Sequence, residues 1–451
     1  MDTEKIITNL GENAHYCDIR TEHWERTAIT LKDGLLEKVT HGEEEGAMVR
    51  VLYENGWGYT GTSNLENLNQ AAQRALSMAK SNNKFKKEKT GLSDIEIYQE
   101  EVKIPMKEDI TDVGPEEKIA FLEEINEILS KNFVTSIELR YEDSLVKKEI
   151  LSSEGTHIRM EIPRVLVYLI ITGKSDAIQR AREGIGGTKG YELTKEAYKR
   201  TGVVLERLEA LLRAKTPPSG VMPLIMDSHL TGVFVHEAFG HAAEGDTVTS
   251  GSSCLEGKLG EKVATDTVTI KDDPTLDGYG SFPFDDEGTK ARPRILVRNG
   301  VLNNYILDRE SAYKLGLESN GGARAEDFRV KPLVRMSNTI MEPGTMTFEE
   351  LLEGMDKGVY AQSSSGGEVS PAQGTFQFNA QVAYLIENGE ITTPLRDVSF
   401  SGFTLDTLQN ITGVTKDFYM GMGHCGKGQR AQVSDGGPHV LVSKVTVGGR
   451  A

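Results

Sequence analysis

Apolar and polar residues alternate through TAITLKDGLLEKVT (27–40), and the alternation breaks at Lys32-Asp33-Gly34. A period of two interrupted by Asp-Gly predicts two strands joined by a hairpin. The stretch GAMVRVLYENGWGYTGTS (46–63) predicts another pair of strands turning at Glu54-Asn55-Gly56. The period then lengthens. Leu65, Leu68, Ala72, Leu76 and Ala79 recur at helical spacing, with Ser63 as the expected N-cap. A charged connection follows at 84–90, KFKKEKT, and the pattern repeats in kind. GPEEKIAFLEEINEILSK (114–131) is an amphipathic helix with proline near its start, 136–173 is a run of strands and turns, and 192–215 is a third helix.

TPPSG (216–220) breaks this texture and is the expected main boundary. Beyond it glycine becomes frequent. RILVRNGVLNNYIL and QVAYLIENGEITTPL each turn on an Asn-Gly pair, as antiparallel hairpins do. The expected fold is α+β: a mixed α/β N-terminal domain over 1–215, with a possible subdivision near 84–114, and a predominantly antiparallel β domain over 216–451. SSSGGEV (363–369) reads as a flexible or backbone-exposing loop.

The length of 451 residues suffices for two or three domains. A net charge of −17 repels phosphate, which argues against nucleic acid and anionic membrane surfaces as partners. No apolar run is long enough to span a bilayer, and the first twenty residues lack the basic end and apolar core of a secretory signal. Three cysteines, Cys17, Cys254 and Cys425, are too few for a disulfide framework, so a cytoplasmic protein is expected.

Candidate chemistry concentrates in VFVHEAFGHAAEGD (233–246), which follows an expected buried strand, VMPLIMD, with Ser228 as a possible N-cap. This segment is the helix expected to carry a metal site in the C-terminal domain. His236 and His241 stand five apart, where a zinc-protease helix has four. In a regular helix that spacing separates them by about 140°. A π-bulge, eased by Gly240, would bring both to one face; otherwise long side chains must reach inward, or the histidines are structural. Glu237, beside a possible ligand, is where a general base for water must sit, or else a surface carboxylate. Glu244 and Asp246 read as a polar helix end.

A catalytic zinc needs three protein ligands and an open position. YMGMGHCGKGQRAQVSDGG (419–437) offers Cys425 in a glycine-dense loop, with His424 beside it as a secondary candidate. Cys425 is a thiolate ligand or a small buried hydrophobe on this reading.

HEAFGHAAEGD, GHCGKGQ and the terminal VTVGGRA together resemble the TldD subfamily of the TldD/PmbA (TldE) proteins, also called modulators of DNA gyrase. The resemblance covers the whole chain. It implies a zinc metallopeptidase with one Zn2+ held by His236, His241 and Cys425, and Glu237 as general base. It also implies peptide substrates that are unfolded or flexible, and a homodimer or a heterodimer with a PmbA/TldE-like paralogue.

Such a substrate is expected to lie extended along an exposed sheet edge. The candidate platform is 363–380, with Gly366, Gly367, Glu368 and Val369 at its centre; the plainer reading is an ordinary surface loop and strand. Two other motifs are discounted. GIGGTKG (184–190) lacks the full phosphate-loop spacing and reads as a turn, and FDDEG (284–288) reads as a solvated turn. The competing class is a non-catalytic partner subunit with a structural metal, for which His424 is the candidate fourth ligand, or with none.

Overall fold

The computed structural model describes residues 3–353 and 355–449. Helix α1 (Thr3–Gly11) leads into the strands β1 (Tyr16–Lys32), β2 (Leu35–Tyr53) and β3 (Gly56–Thr62). They turn where Asp33, Gly34 and Glu54 have positive φ. Helix α2 (Leu68–Asn83) lies against these strands with Leu68, Ala72, Leu76 and Ala79 buried. The side-chain cap is not Ser63 but Asn64, which accepts from the Glu66 amide at the single 3-10 turn before α2; the N-cap of α2 itself is Asn67, without a side-chain bond. Asn caps as well as Ser, and Ser63 lies one residue too early to reach that turn.

The sheet continues through β4 (Gln99–Lys103), β5 (Val134–Ser152), β6 (His157–Lys174) and β7 (Ile178–Gly187) in the order β3-β2-β1-β5-β6-β4, with β7 also on β6. Side chains alternate between the two faces. Odd-numbered residues of β5 and β6, such as Tyr141 and Leu169, bury against α3 (Pro115–Leu129) and α4 (Thr194–Leu212). Even-numbered Val146, Ile150, Met160 and Ile162 bury instead against Phe282, Phe284 and Phe328, so this sheet is docked on the second half of the chain.

Two expectations fail along this junction. The segment 284–288 is no solvated turn: Asp285, Asp286 and Glu287 are all buried. Asp286 pairs with Lys148 at 2.8 Å and Glu287 with Arg50 at 2.9 Å. Charges this deep persist only when paired, and their cations come from strands more than a hundred residues away. GIGGTKG begins as strand, not turn. Gly184 and Gly186 leave room for Met422, whose side chain would stand 2.9 Å from a Cβ at either position.

From β8 (Gly220–Met226) onward the chain is mostly antiparallel, as expected. Strands Lys357–Ser370, β8, Val440–Gly449, Val398–Phe403 and Thr375–Glu387 pair in that order, and the last closes back on the first. A second sheet carries Ile270–Asp272, Asn338–Met341 and Arg430–Gly437. The α+β class holds. No helix among the described residues is long and apolar enough to cross a membrane.

Candidate metal centre

β8 delivers the chain to helix α5 (Ser228–Phe234). Asp227, not Ser228, is the N-cap and accepts from the Leu230 amide at 2.7 Å. Its own amide completes the sheet by donating to Ala361 O at 2.9 Å, which places Asp227 at the strand–helix junction. Helix α5 lies between the two sheets. Phe234 packs on Phe376 and Phe378, and Gly232 passes so close to the Arg430–Gly437 strand that a Cβ would stand 2.4 Å from Gly436 N.

After Phe234 the helix widens to a π-helix over Val235–Gly240, then tightens to 3-10 over His241–Ala243. A π turn stacks residues five apart, so His236 and His241 share a face, with ring centroids 5.6 Å apart. Gly240 has ordinary helical backbone there. Its contribution is space, because a Cβ would stand 2.1 Å from Met336 Sδ.

Cys425 arrives on the short strand Gly423–Gly426, which pairs with Arg430–Gly437. Arg335 pins this hairpin by donating to Cys425 O at 2.6 Å and to Gln429 O at 2.7 Å. Cys425 Sγ lies 3.2 Å from His241 Nε2, and ligand atoms of His236, His241 and Cys425 all lie within 4.8 Å of one another. His236 is 2 % exposed, yet neither ring nitrogen has a hydrogen-bond partner. A buried imidazole is rarely left so, and a cation between the three donors would satisfy it. Two imidazoles and a thiol suit zinc.

The electrostatics agree with that fit. Burial pushes the Cys425 thiol up, but His236 and His241 outweigh it and bring its pKa down to about 5. Burial opposes charge on His241, but Glu244 and Cys425 raise its pKa well above the ordinary value. Glu244 is fully buried and accepts from His241 Nδ1 at 3.0 Å, with Lys427 Nζ at 3.1 Å. It is therefore no polar helix end but the outer support of a candidate ligand, and its signal in the sequence was the carboxylate three residues after a histidine. Asp246 pairs with Lys427 at 2.6 Å.

Glu237 is partly exposed, with Oε2 3.6 Å from His241 Nε2, and opens onto a cleft of about 710 Å3. His424 does not join the trio. It lines the cleft with Nε2 3.3 Å from the Tyr279 hydroxyl, and burial with the charges of Arg430 and Arg164 lowers its pKa to about 4.

The 363–369 segment is not a loop but the end of the Lys357–Ser370 strand, bulged where Ser363 and Gly366 take positive φ. Gly366 and Gly367 line the cleft; Glu368 is exposed and Val369 packs against the core. β8 pairs with residues 359–361, so beyond Ser364 the strand is paired on one side only, among the described residues. His229 and Asp435 also face the cleft and were not anticipated. His229, Val233 and Glu237 follow at helical intervals of four, which is the pattern that could have revealed the first of them.

Comparison with known proteins covers nearly the whole chain. The PmbA/TldA metallopeptidase domain 1 matches residues 17–79, the central domain 108–211 and the C-terminal domain 219–449. A metalloprotease of Methanothermobacter thermautotrophicus is 40% identical over 98% of each chain. A zinc metalloprotease TldD homolog of Saccharolobus solfataricus is 33% identical over 99% of this chain and 98% of its own. The crystal structure of TldE from Thermococcus kodakarensis superposes with a TM-score of 0.82 at 19% identity, covering 99% of this chain and all of the other.

Proposed function

The chain belongs to the PmbA/TldD metallopeptidase family, and from that premise we propose that it is a zinc-dependent peptidase hydrolysing peptide bonds in unfolded or flexible peptides. The observation that carries the reading is the convergence of His236, His241 and Cys425 to within 4.8 Å beside Glu237 at the edge of a large cleft. These three residues would hold one zinc per chain. When bound, zinc supplies Lewis acidity that polarises the scissile carbonyl and acidifies water.

The remaining work falls to the protein. Glu237 accepts the proton of the attacking water at its carboxylate and passes it to the leaving amine. Its exposure to the cleft suits this exchange. Glu244 holds the His241 ring by its Nδ1 atom. The open edge of residues 364–370 suits an extended peptide, which would add as a strand where Gly366 leaves open space beside the backbone. His424, neutral at pH 7, is a cleft-wall group in this reading. An assembly of two such chains, either two copies or one copy with a TldE-like paralogue, belongs to the same proposal. The three free cysteines suit the cytoplasm.

The test is Glu237→Gln. The variant should retain about one zinc per chain and lose cleavage of an unstructured peptide, and chelation should abolish wild-type cleavage. Wild-type rates in the variant would remove Glu237 from its role. A zinc-loaded wild-type protein inert both alone and with a TldE-like partner would overturn the peptidase reading.

A further inference from the structure

The cleft that Glu237 opens onto has a second wall, built by the N-terminal sheet. Arg140, Tyr168 and Gly184 lie in one row across β5, β6 and β7, on the even-numbered face. Arg180 and Arg182 share that face further along β7, and Arg430 reaches the same space from the Gly423–Arg430 hairpin. In a chain of net charge −17, four guanidiniums lining one cleft is a concentration that needs an explanation.

The ion pairs on the wall do not neutralise it. Arg140 and Arg180 share a single carboxylate, Glu138, at 2.5 Å and 3.2 Å. Arg182 donates to Ser364 O at 3.0 Å, and neither it nor Arg430 forms an ion pair among the described residues. Glu142 is the other acid on the even-numbered face of this sheet; Glu183 also lines the cleft but is taken up by Arg200 and Arg207, and Glu237 and Asp435 lie on the other wall. On this one face, the four arginines stand against the carboxylates of Glu138 and Glu142 alone. The Tyr168 hydroxyl feels them directly: burial raises its pKa, while Arg182, Arg430 and Arg140 all pull it down. Burial, with Arg180 and Arg207 adding like charge against the opposing pull of Tyr168, lowers the pKa of Arg182 itself.

We propose that Arg182 and Arg430, with Tyr168 between them, form a carboxylate-binding subsite that selects substrate peptides carrying an acidic group near the cleaved bond. The inference rests on the peptidase reading above and deepens it to a substrate class. Position supports it from both ends. Arg182 bonds the carbonyl of Ser364, at the start of the open strand edge. Arg430 pairs across its hairpin with Gly426, next to Cys425. An extended peptide covers about 3.3 Å per residue, so a carboxylate held on this wall belongs to a residue a few positions from the scissile bond. Guanidinium groups match a carboxylate with paired donors, and in a partly enclosed cleft the attraction is screened less than on an open surface.

The experiment measures binding of labelled unstructured peptides to zinc-loaded Glu237→Gln protein by fluorescence anisotropy, so that it is independent of turnover. One peptide pair differs by a free or amidated C-terminus, and another by Asp and Glu or Asn and Gln side chains. In the Arg182→Gln/Arg430→Gln background, and in Arg430→Gln alone should the double variant misfold, the preference should collapse. We expect the acidic member of at least one pair to bind about tenfold or more tightly, and the ratio to fall toward one in the variants. A preference confined to the C-terminal pair identifies a chain-end reader; one confined to the side-chain pair identifies recognition of acidic segments. Equal binding within both pairs, or a preference that survives Arg430→Gln and the double variant, overturns the proposal. Loss of wild-type cleavage with the binding preference intact would instead refute the peptidase reading alone.

Discussion

Glu244 gives the sharpest test of how the candidate centre is held together. Its carboxylate is buried completely and touches His241 Nδ1 at 3.0 Å, Lys427 Nζ at 3.1 Å and, more distantly, Arg335 Nε at 4.0 Å. Replacing it leaves the two cations with other partners. Lys427 keeps Asp246 at 2.6 Å, and Arg335 keeps the carbonyls of Cys425 and Gln429. The loss therefore falls on His241, whose ring is no longer fixed in the tautomer that presents Nε2 toward Cys425. Outer partners of this kind are worth about 10- to 100-fold in metal affinity, or about 1.4 to 2.7 kcal/mol. Glu244→Gln preserves volume and an acceptor oxygen while losing the charge, so the lower figure is expected. Glu244→Ala loses both and should approach the higher. Competition for zinc against a chromogenic chelator, with far-ultraviolet circular dichroism to confirm folding, measures each. Wild-type zinc affinity in a folded Glu244→Ala protein would refute the reasoning; equal losses in both variants would assign the effect to charge instead of ring orientation.

Three further outcomes follow from the same geometry. Gly232→Ala should destabilise the protein by about 1–3 kcal/mol or more, because its Cβ would meet backbone at 2.4 Å; an unchanged urea midpoint would show that helix α5 can shift without cost. Glu183→Gln should cost about 3 kcal/mol at neutral pH by leaving Arg207 and Arg200 without their shared carboxylate. Burial raises the Glu183 pKa, but those two arginines outweigh it and hold it low, so the stabilisation is present above the unfolded value of about 4.3 and is lost as pH falls through the folded value. The variant's deficit in denaturant midpoint should shrink on acidification, and a deficit that grows would contradict the sign. His424→Ala should keep about one zinc per chain, since its ring lies on the Tyr279 side of the cleft; loss of zinc in a folded variant would place it among the ligands.

Local signals carried well in this sequence, and signals that depend on distant partners did not. The turns at Asp33-Gly34, Asn299-Gly300 and Asn388-Gly389 were legible because positive φ is a property of a few residues. The His236–Glu237–His241 group was legible as a question, since a spacing of five demanded either a widened helix or no shared face, and the π-helix resolves it through space that Gly240 alone leaves beside Met336. Cys425 stood out by its glycine-rich setting, yet nothing local distinguished it from His424; alternation along one short strand sends the thiol to the histidines and the imidazole to the cleft.

The misreadings share one cause. Asp285-Asp286-Glu287 looked solvated because charge is usually exposed; Asp286 and Glu287 are buried with Lys148 and Arg50, supplied by another sheet, and Asp285 accepts from the amides of Thr289 and Ala323. Gly184 and Gly186 looked like a turn because the reason for their smallness, Met422, lies more than two hundred residues away. The arginine wall is the same phenomenon with functional weight. Arg140, Arg182 and Arg430 are unremarkable in their own segments, and only the docking of the N-terminal sheet over helix α5 turns them into one surface facing Glu237. The residues proposed for chemistry are thus written in short motifs, whereas those proposed to choose the substrate are written in the packing of one half of the chain on the other. Substitutions at the buried junction, at Lys148 or Asp286, should therefore alter peptide preference before they alter zinc binding.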